Sequence, residues 1–113
     1  VSAFSPICSL HKSDFAQQAI ENYFNNDESI INYYDPIYLI REIKHLFDNI
    51  LIDVGLDDEF LKDLFIDEFV HECKKVKQKV ELRKHLGYGH SYYFIQTFIK
   101  DHFDFHSKKL IKL

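Results

Sequence analysis

The sequence predicts an all-α fold, an antiparallel bundle of about four helices, and three observations carry that expectation. Three glycines and two prolines among 113 residues leave few helix breakers. Apolar residues recur at helical spacing in four stretches, and no stretch alternates polar and apolar side chains as a half-buried strand would. The length suits one domain with a modest core, so residues 1–113 read as a single helical unit with residues 1–12 as an extended N-terminal arm.

The first helix begins at Ser13, an N-cap residue followed by Asp14, and carries Phe15, Ala16, Ala19, Ile20, Tyr23 and Phe24 along one face. Asn25-Asn26-Asp27 ends it, and residues 28–34 make a short extra turn. Asp35-Pro36 then pairs an N-cap with a first-turn proline, opening a second helix that is predicted to reach Val54. Its stripe is Ile37, Leu39, Ile40, Ile43, Leu46, Phe47, Ile50, Leu51 and Val54, and Gly55 reads as a left-handed C-cap. Asp57, Asp58 and Glu59 open the third helix, where the helix dipole favours negative charge, and Phe60, Leu61, Leu64, Phe65, Phe69, Cys73, Val76 and Val80 form its face. Lys77, Lys79, Arg83 and Lys84 sit in its last turns, and Gly87 and Gly89 end it. The fourth helix starts at Ser91 and is apolar nearly all round.

Composition narrows the function classes. With 46% hydrophobic and 28% charged residues the chain folds, and no apolar run approaches the ~20 residues a membrane span needs. Cys8 and Cys73 have neither zinc-ribbon nor disulfide-framework spacing, which favours a reducing, cytoplasmic setting. Residues 27–72 hold thirteen acidic and three basic side chains, residues 73–113 ten basic and three acidic. Folding can lay these halves together, and a pI near 5.9 without a glycine-rich phosphate loop disfavours nucleic acid.

The candidate chemistry is sparse. His102 and His106 share a helix face but lack a third metal ligand, so no metal site is assigned and no cofactor is called for. Asp57, Asp58, Glu59 and Asp63 miss the calcium-loop spacing and read as a helix start. No Gly-x-Ser-x-Gly elbow occurs, and no thiol is paired by spacing with a base. Arg83 and His90 fit an Arg-x6-His spacing that resembles the ribonuclease motif of the HEPN family. That resemblance implies a toxin–antitoxin type RNase in which Arg83 binds phosphate and His90 serves as acid or base.

EIKHLFDNILIDVGL over residues 42–56, followed by the acidic Asp57-Asp58-Glu59, resembles the central helix and turn of the BART domain. YFIQTFIKDHF over residues 93–103 is similar to that family's closing helix. The resemblance implies a helical module that binds Arf-like small GTPases.

The expectation is therefore a non-enzymatic protein-interaction module. Eleven Phe and seven Tyr exceed what so small a core encloses, and Tyr92, Phe94, Phe98, Ile99 and Phe103 are the expected partner-binding surface, for another protein, a small GTPase among the candidates, or a second copy of the chain. The alternatives are the RNase and an acidic inhibitor of the immunity-protein type, whose binding would weaken steeply with salt.

Overall fold

Residues 1–43 and 47–111, which the computed structural model describes, wrap helices around a parallel β-sheet rather than packing as a bundle. In chain order the elements are β1 (Ser2–Phe4), α1 (Asp14–Tyr23), α2 (Glu28–Tyr34), α3 (Pro36–Ile43), β2 (Ile50–Gly55), α4 (Leu61–Leu64), α5 (Ile66–Lys75), β3 (Val80–His85) and α6 (Tyr92–Ile111). The strands lie in the order β1-β2-β3, all parallel, with Ala3 opposite Ile52 and Asp53 opposite Arg83.

Local capping explains where several helices start. The buried Ser13 hydroxyl accepts from the Ala16 N–H and opens α1. Asp27 accepts from the Ser29 N–H at the head of α2. Asp35, also buried, accepts from the Tyr38 N–H at 2.9 Å and from the Leu10 N–H, so one carboxylate caps α3 and ties down the segment after β1. Sequence-predicted starts at Ser13, Asp35-Pro36 and Ser91 coincide with real helices.

The predicted second helix does not reach Val54. Its Leu46 lies outside the described residues, and residues 50–55 are a strand. Every residue of β2 is buried. Ile50, Ile52 and Val54 pack on one face against Ile37 and Ile40 of α3 and Ile66, Phe69 and Cys73 of α5, while Asp53 on the other face meets α6. A strand covered on both faces shows a continuous apolar run rather than alternation, which is why it imitates a buried helix.

The predicted third helix is also divided. Phe65 (φ 57°) separates α4 from α5, and Lys77 (φ 61°) turns the chain after α5 into β3. The buried Gln78 side chain accepts from the Phe47 N–H (3.1 Å) and donates to the Phe47 carbonyl (2.8 Å), holding the approach to β2 against the approach to β3. In β3, Val80 and Leu82 pack toward the α3–α5 side and Arg83 and His85 toward α6. The basic residues preceding it disguise this short alternation as a helix end.

α6 crosses the second face of the sheet on a stripe of Phe94, Phe98 and His102. Beneath it the fully buried Asp53 carboxylate collects three partners. Arg83 Nε and Nη2 donate to its two oxygens at 2.6 and 2.7 Å, His85 Nε2 lies 2.9 Å away, and His102 Nε2 lies 2.6 Å away. Arg83 Nη1 also reaches Asp101 at 3.0 Å. A buried charge is tolerated only with such partners. Burial alone would raise the Asp53 carboxyl, but the hydrogen bonds from Arg83, His85 and His102 outweigh it and hold the group at about 2, against an ordinary 3.8.

Because that value is depressed on folding, the stability it contributes is complete above pH 4 and is lost as pH falls through 2. The shift corresponds to about 2 kcal/mol. Thermal melts from pH 5 to pH 2 should show this loss in the native chain. Asp53→Asn, less stable at neutrality because Arg83 loses its buried carboxylate and keeps the exposed Asp101, should lose stability over the same interval with a visibly shallower slope.

Candidate active site

The carboxyl ends of β2 and β3 are brought together by a backbone approach that only glycine permits. A Cβ on Gly55 would stand 2.1 Å from the Tyr88 carbonyl oxygen and 2.6 Å from its carbon. Gly55 is thus the last residue of a strand, not a left-handed helix cap. Beyond it, Leu56 N–H donates to the His85 carbonyl (2.9 Å) and Asp57 N–H to the Tyr88 carbonyl (3.0 Å), while Gly87 (φ 83°) turns the chain back after β3. Two loops that are remote in sequence are thereby stitched side by side.

Each loop contributes one ionisable side chain. Asp58 folds over a tight turn, its N–H donating to the Gly55 carbonyl (3.2 Å), and its Oδ1 accepts from the Phe60 N–H (2.8 Å). The other oxygen, Oδ2, lies 2.8 Å from His90 Nδ1. The Asp58 carboxylate is 0% exposed and the His90 side chain 44%. A carboxylate only accepts, so Nδ1 carries the proton and the neutral ring keeps its lone pair on Nε2. Phe60 meets the imidazole edge-on with ring centres 5.2 Å apart, which fixes the ring from the side. A buried carboxylate held on a half-exposed imidazole is an arrangement that can serve acid–base chemistry, as in the His–Asp part of a nucleophile–His–Asp relay.

A cavity of about 310 Å³ lies against His90, walled by Ile7, Phe60 and Leu64. Asp63 stands at its edge, accepting from Ser13 Oγ (2.6 Å), Asp14 N–H (2.7 Å) and Phe15 N–H (2.9 Å). The Ser13 hydroxyl first, and then these amides, hold its carboxyl below the usual range. Through these bonds the start of α1 is fixed against α4, and Phe15 lies at a tilt to Phe60 with centres 5.5 Å apart.

His90 therefore belongs to a site, but not to the pairing with Arg83 suggested by spacing. Arg83 is consumed by Asp53 and Asp101 on the α6 side of the sheet, which holds its guanidinium well above its ordinary value. His102 is buried on Asp53 and stacked on Phe4 with centres 3.9 Å apart, whereas His106 Nε2 lies 2.8 Å from the Ser2 hydroxyl, so the two histidines do not converge on a common ligand. Among the described residues no group of three His, Cys, Asp or Glu could hold a metal ion. Of the five aromatic and aliphatic residues expected to bind a partner, Phe94 is 1% exposed and packs on Phe4, His85 and Tyr88, and Phe98 stacks on His85 at 3.8 Å. Tyr92, Ile99 and Phe103 are exposed. Neither cysteine serves as a nucleophile at neutral pH, since burial pushes the Cys8 thiol up to about 12 and Cys73 to about 11.

Sequence reasoning missed Asp58, which it took for part of a helix start. The available sign was positional for Asp58 alone: the acidic run 57–59 closely follows the apolar stretch 50–56, as residues at the carboxyl end of a buried parallel strand do.

No protein-family model matches the chain. The chain is 42% identical over 111 residues to the S-formylglutathione hydrolase of Arabidopsis thaliana and 43% over 112 residues to that of Mus musculus, in each case over 97% of its own length. The corresponding Saccharomyces cerevisiae protein is 37% identical over 113 residues. Its homologues are hydrolases. A solved S-formylglutathione hydrolase from Agrobacterium tumefaciens superposes with a TM-score of 0.87 at 36% identity, over 95% of this chain and 39% of that one. The chain spans about two fifths of the length of these relatives.

These findings overturn the BART resemblance and with it the GTPase-binding adaptor, the helical bundle and the expectation of a non-enzymatic module. The relatives are enzymes, and the parallel sheet with its helices matches part of an α/β-hydrolase. The RNase and inhibitor alternatives fall on the same ground. Among the described residues no helix is long and apolar enough to cross a membrane.

Gly55→Ala tests the stitch between the loops. The added methyl must part β2 from Tyr88, so the variant should lose about 1–3 kcal/mol in urea unfolding and the Asp57 amide should exchange faster with deuterium. An unchanged Asp57 exchange rate would show that the approach is not needed.

Proposed function

We propose that this chain carries the acid–base half of a thioester hydrolase acting on S-formylglutathione or a closely similar acyl thiol, with His90 as general base and acid and Asp58 as its orienting carboxylate. The observation that carries this reading is the 2.8 Å contact between Asp58 Oδ2 and His90 Nδ1 at the carboxyl ends of adjacent parallel strands. The similarity to S-formylglutathione hydrolases over nearly the whole chain supports it. The nucleophile belongs, on this reading, to a segment preceding Asp58 in the remaining length of the relatives, because α/β-hydrolases run Ser, then Asp or Glu, then His, and this sequence has no Gly-x-Ser-x-Gly.

The chemistry follows from the fixed tautomer. His90 Nε2 removes the proton of the attacking hydroxyl as its oxygen bonds to the thioester carbonyl carbon. The imidazolium that forms is stabilised by Asp58, whose carboxylate stays ionised. When the tetrahedral adduct collapses the carbon–sulfur bond breaks, and the Nε2 proton passes to the departing thiolate. A water molecule, deprotonated by the same nitrogen, then attacks the ester carbonyl, and the serine oxygen leaves with the proton. The net change is thioester plus water to formate, a proton and the free thiol. We place this activity in a reducing compartment inside the cell, a setting that fits the buried, unbridged Cys8 and Cys73.

The test is a chimera in which these 113 residues replace the matching portion of the Agrobacterium tumefaciens enzyme. It should hydrolyse S-formylglutathione. Asp58→Asn should lower kcat by roughly 10³–10⁴-fold, as loss of the orienting carboxylate does elsewhere, and His90→Ala by a similar factor. A folded chimera indifferent to His90→Ala would sink the proposal.

A further inference from the structure

Ser5 combines a left-handed backbone with a buried hydroxyl that has no partner among the described residues. Directly after β1 its backbone lies in the left-handed region at φ 46°, where a non-glycine residue is strained. Its N–H is satisfied, donating to the Asp53 carbonyl at 2.8 Å, but its hydroxyl has no hydrogen-bond partner among the described residues although Ser5 is only 8% exposed. A buried polar atom without a partner calls for an explanation. Ser5 faces the cavity of about 310 Å³ that His90 also lines.

The position of that cavity indicates its occupant. If His90 protonates the departing sulfur, the first atoms beyond that sulfur lie within reach of its ring and continue into the space beside it. The walls there are apolar, formed by Ile7, Phe60 and Leu64, and the Asp63 carboxylate at the edge already accepts from three donors. The Ser5 hydroxyl is the buried polar group left to recognise a neutral hydrogen-bonding function. The volume sits at the small end of ligand pockets, which span roughly 300–1,000 Å³. We infer that this cavity is the subsite for the leaving thiol and that Ser5 Oγ hydrogen-bonds a peptide amide of that thiol, so that amide-bearing thiols are selected over simple alkyl thiols. The inference rests on the hydrolase reading. Its selectivity has a physical source, because an analogue without the amide leaves the buried hydroxyl unpaired.

Ser5 is not assigned as the nucleophile. Ala3-Phe4-Ser5-Pro6-Ile7 lacks the flanking glycines of an elbow, and the Ser5 hydroxyl makes no bond to His90.

The experiment is an amide-resolved NMR titration of the full chain with S-methylglutathione, an unreactive stand-in for the leaving thiol, and with 2-(methylthio)ethanol, which has no amide. S-methylglutathione should shift the resonances of Ser5, Phe60 and His90. Ser5→Ala should weaken its binding about tenfold and leave the weaker binding of 2-(methylthio)ethanol unchanged. Ser5→Gly removes the hydroxyl while relieving the left-handed backbone, so the same loss in that variant separates recognition from misfolding. Shifts confined to other residues, S-methylglutathione binding as tight in both Ser5 variants as in the unsubstituted chain, or labelling of Ser5 by a fluorophosphonate would each overturn the assignment. Asp58→Asn should retain S-methylglutathione binding. The binding result therefore judges the subsite, and the chimera's hydrolysis separately judges the acid–base pair.

Discussion

The complete burial of β2 is the constraint from which the remaining architecture follows. A strand with Ile50, Ile52 and Val54 on one face and Leu51, Asp53 and Gly55 on the other leaves neither face for water. Both must be covered, by α3 and α5 on one side and α6 on the other, and parallel neighbours must reach it by way of helical crossovers. Asp53 then becomes a buried charge beneath α6 and draws Arg83, His85 and His102 to it, which docks the last helix on the sheet. The same strand delivers Gly55 to the one place where its backbone can touch Tyr88, and so determines where Asp58 and His90 emerge.

That constraint also explains what could be read from sequence. Signals local to a few residues were legible: the Ser13 cap, the Asp35-Pro36 start and the long amphipathic stretch of α6 all correspond to real helices. What failed was the distinction between a buried strand and a buried helix. The run from Ile50 to Val54 is apolar except for Asp53, and a continuous apolar run has no period to read. With residues 50–54 read as helix, Gly55 reads as a cap and Asp58 as a helix-start residue. His90 is singled out in the sequence only through its spacing from Arg83, whereas its contact with Asp58 depends on the parallel register that sets Gly55 opposite His85, a relation with no trace in a helical reading.

The charge division along the chain has a similarly physical resolution. The acidic middle and the basic end meet where β3 lies beside β2 and α5. Arg83 binds Asp53, Lys84 lies 3.0 Å from Asp67, and Lys75 lies 3.4 Å from Glu72. The exposed members of this set contribute little individually. The Asp53–Arg83 pair differs because Asp53 is fully buried, so removing Arg83 takes the main countercharge from a carboxylate in a dry interior.

Two kinds of histidine–aspartate contact occur within this small structure, and their contrast bears on function more than either alone. His102 bonds Asp53 through Nε2, lies buried against Phe4, and shares its carboxylate with an arginine and a second histidine. Every feature of that contact holds two layers together. His90 bonds Asp58 through Nδ1, shares that carboxylate among the described residues with the Phe60 N–H, and lines a cavity with a ring that is nearly half exposed. Proton transfer needs a nitrogen that a substrate can reach and a partner that holds the tautomer without neutralising it. Only the second contact meets both requirements. The distinction rests on which ring nitrogen is engaged and what surrounds the other.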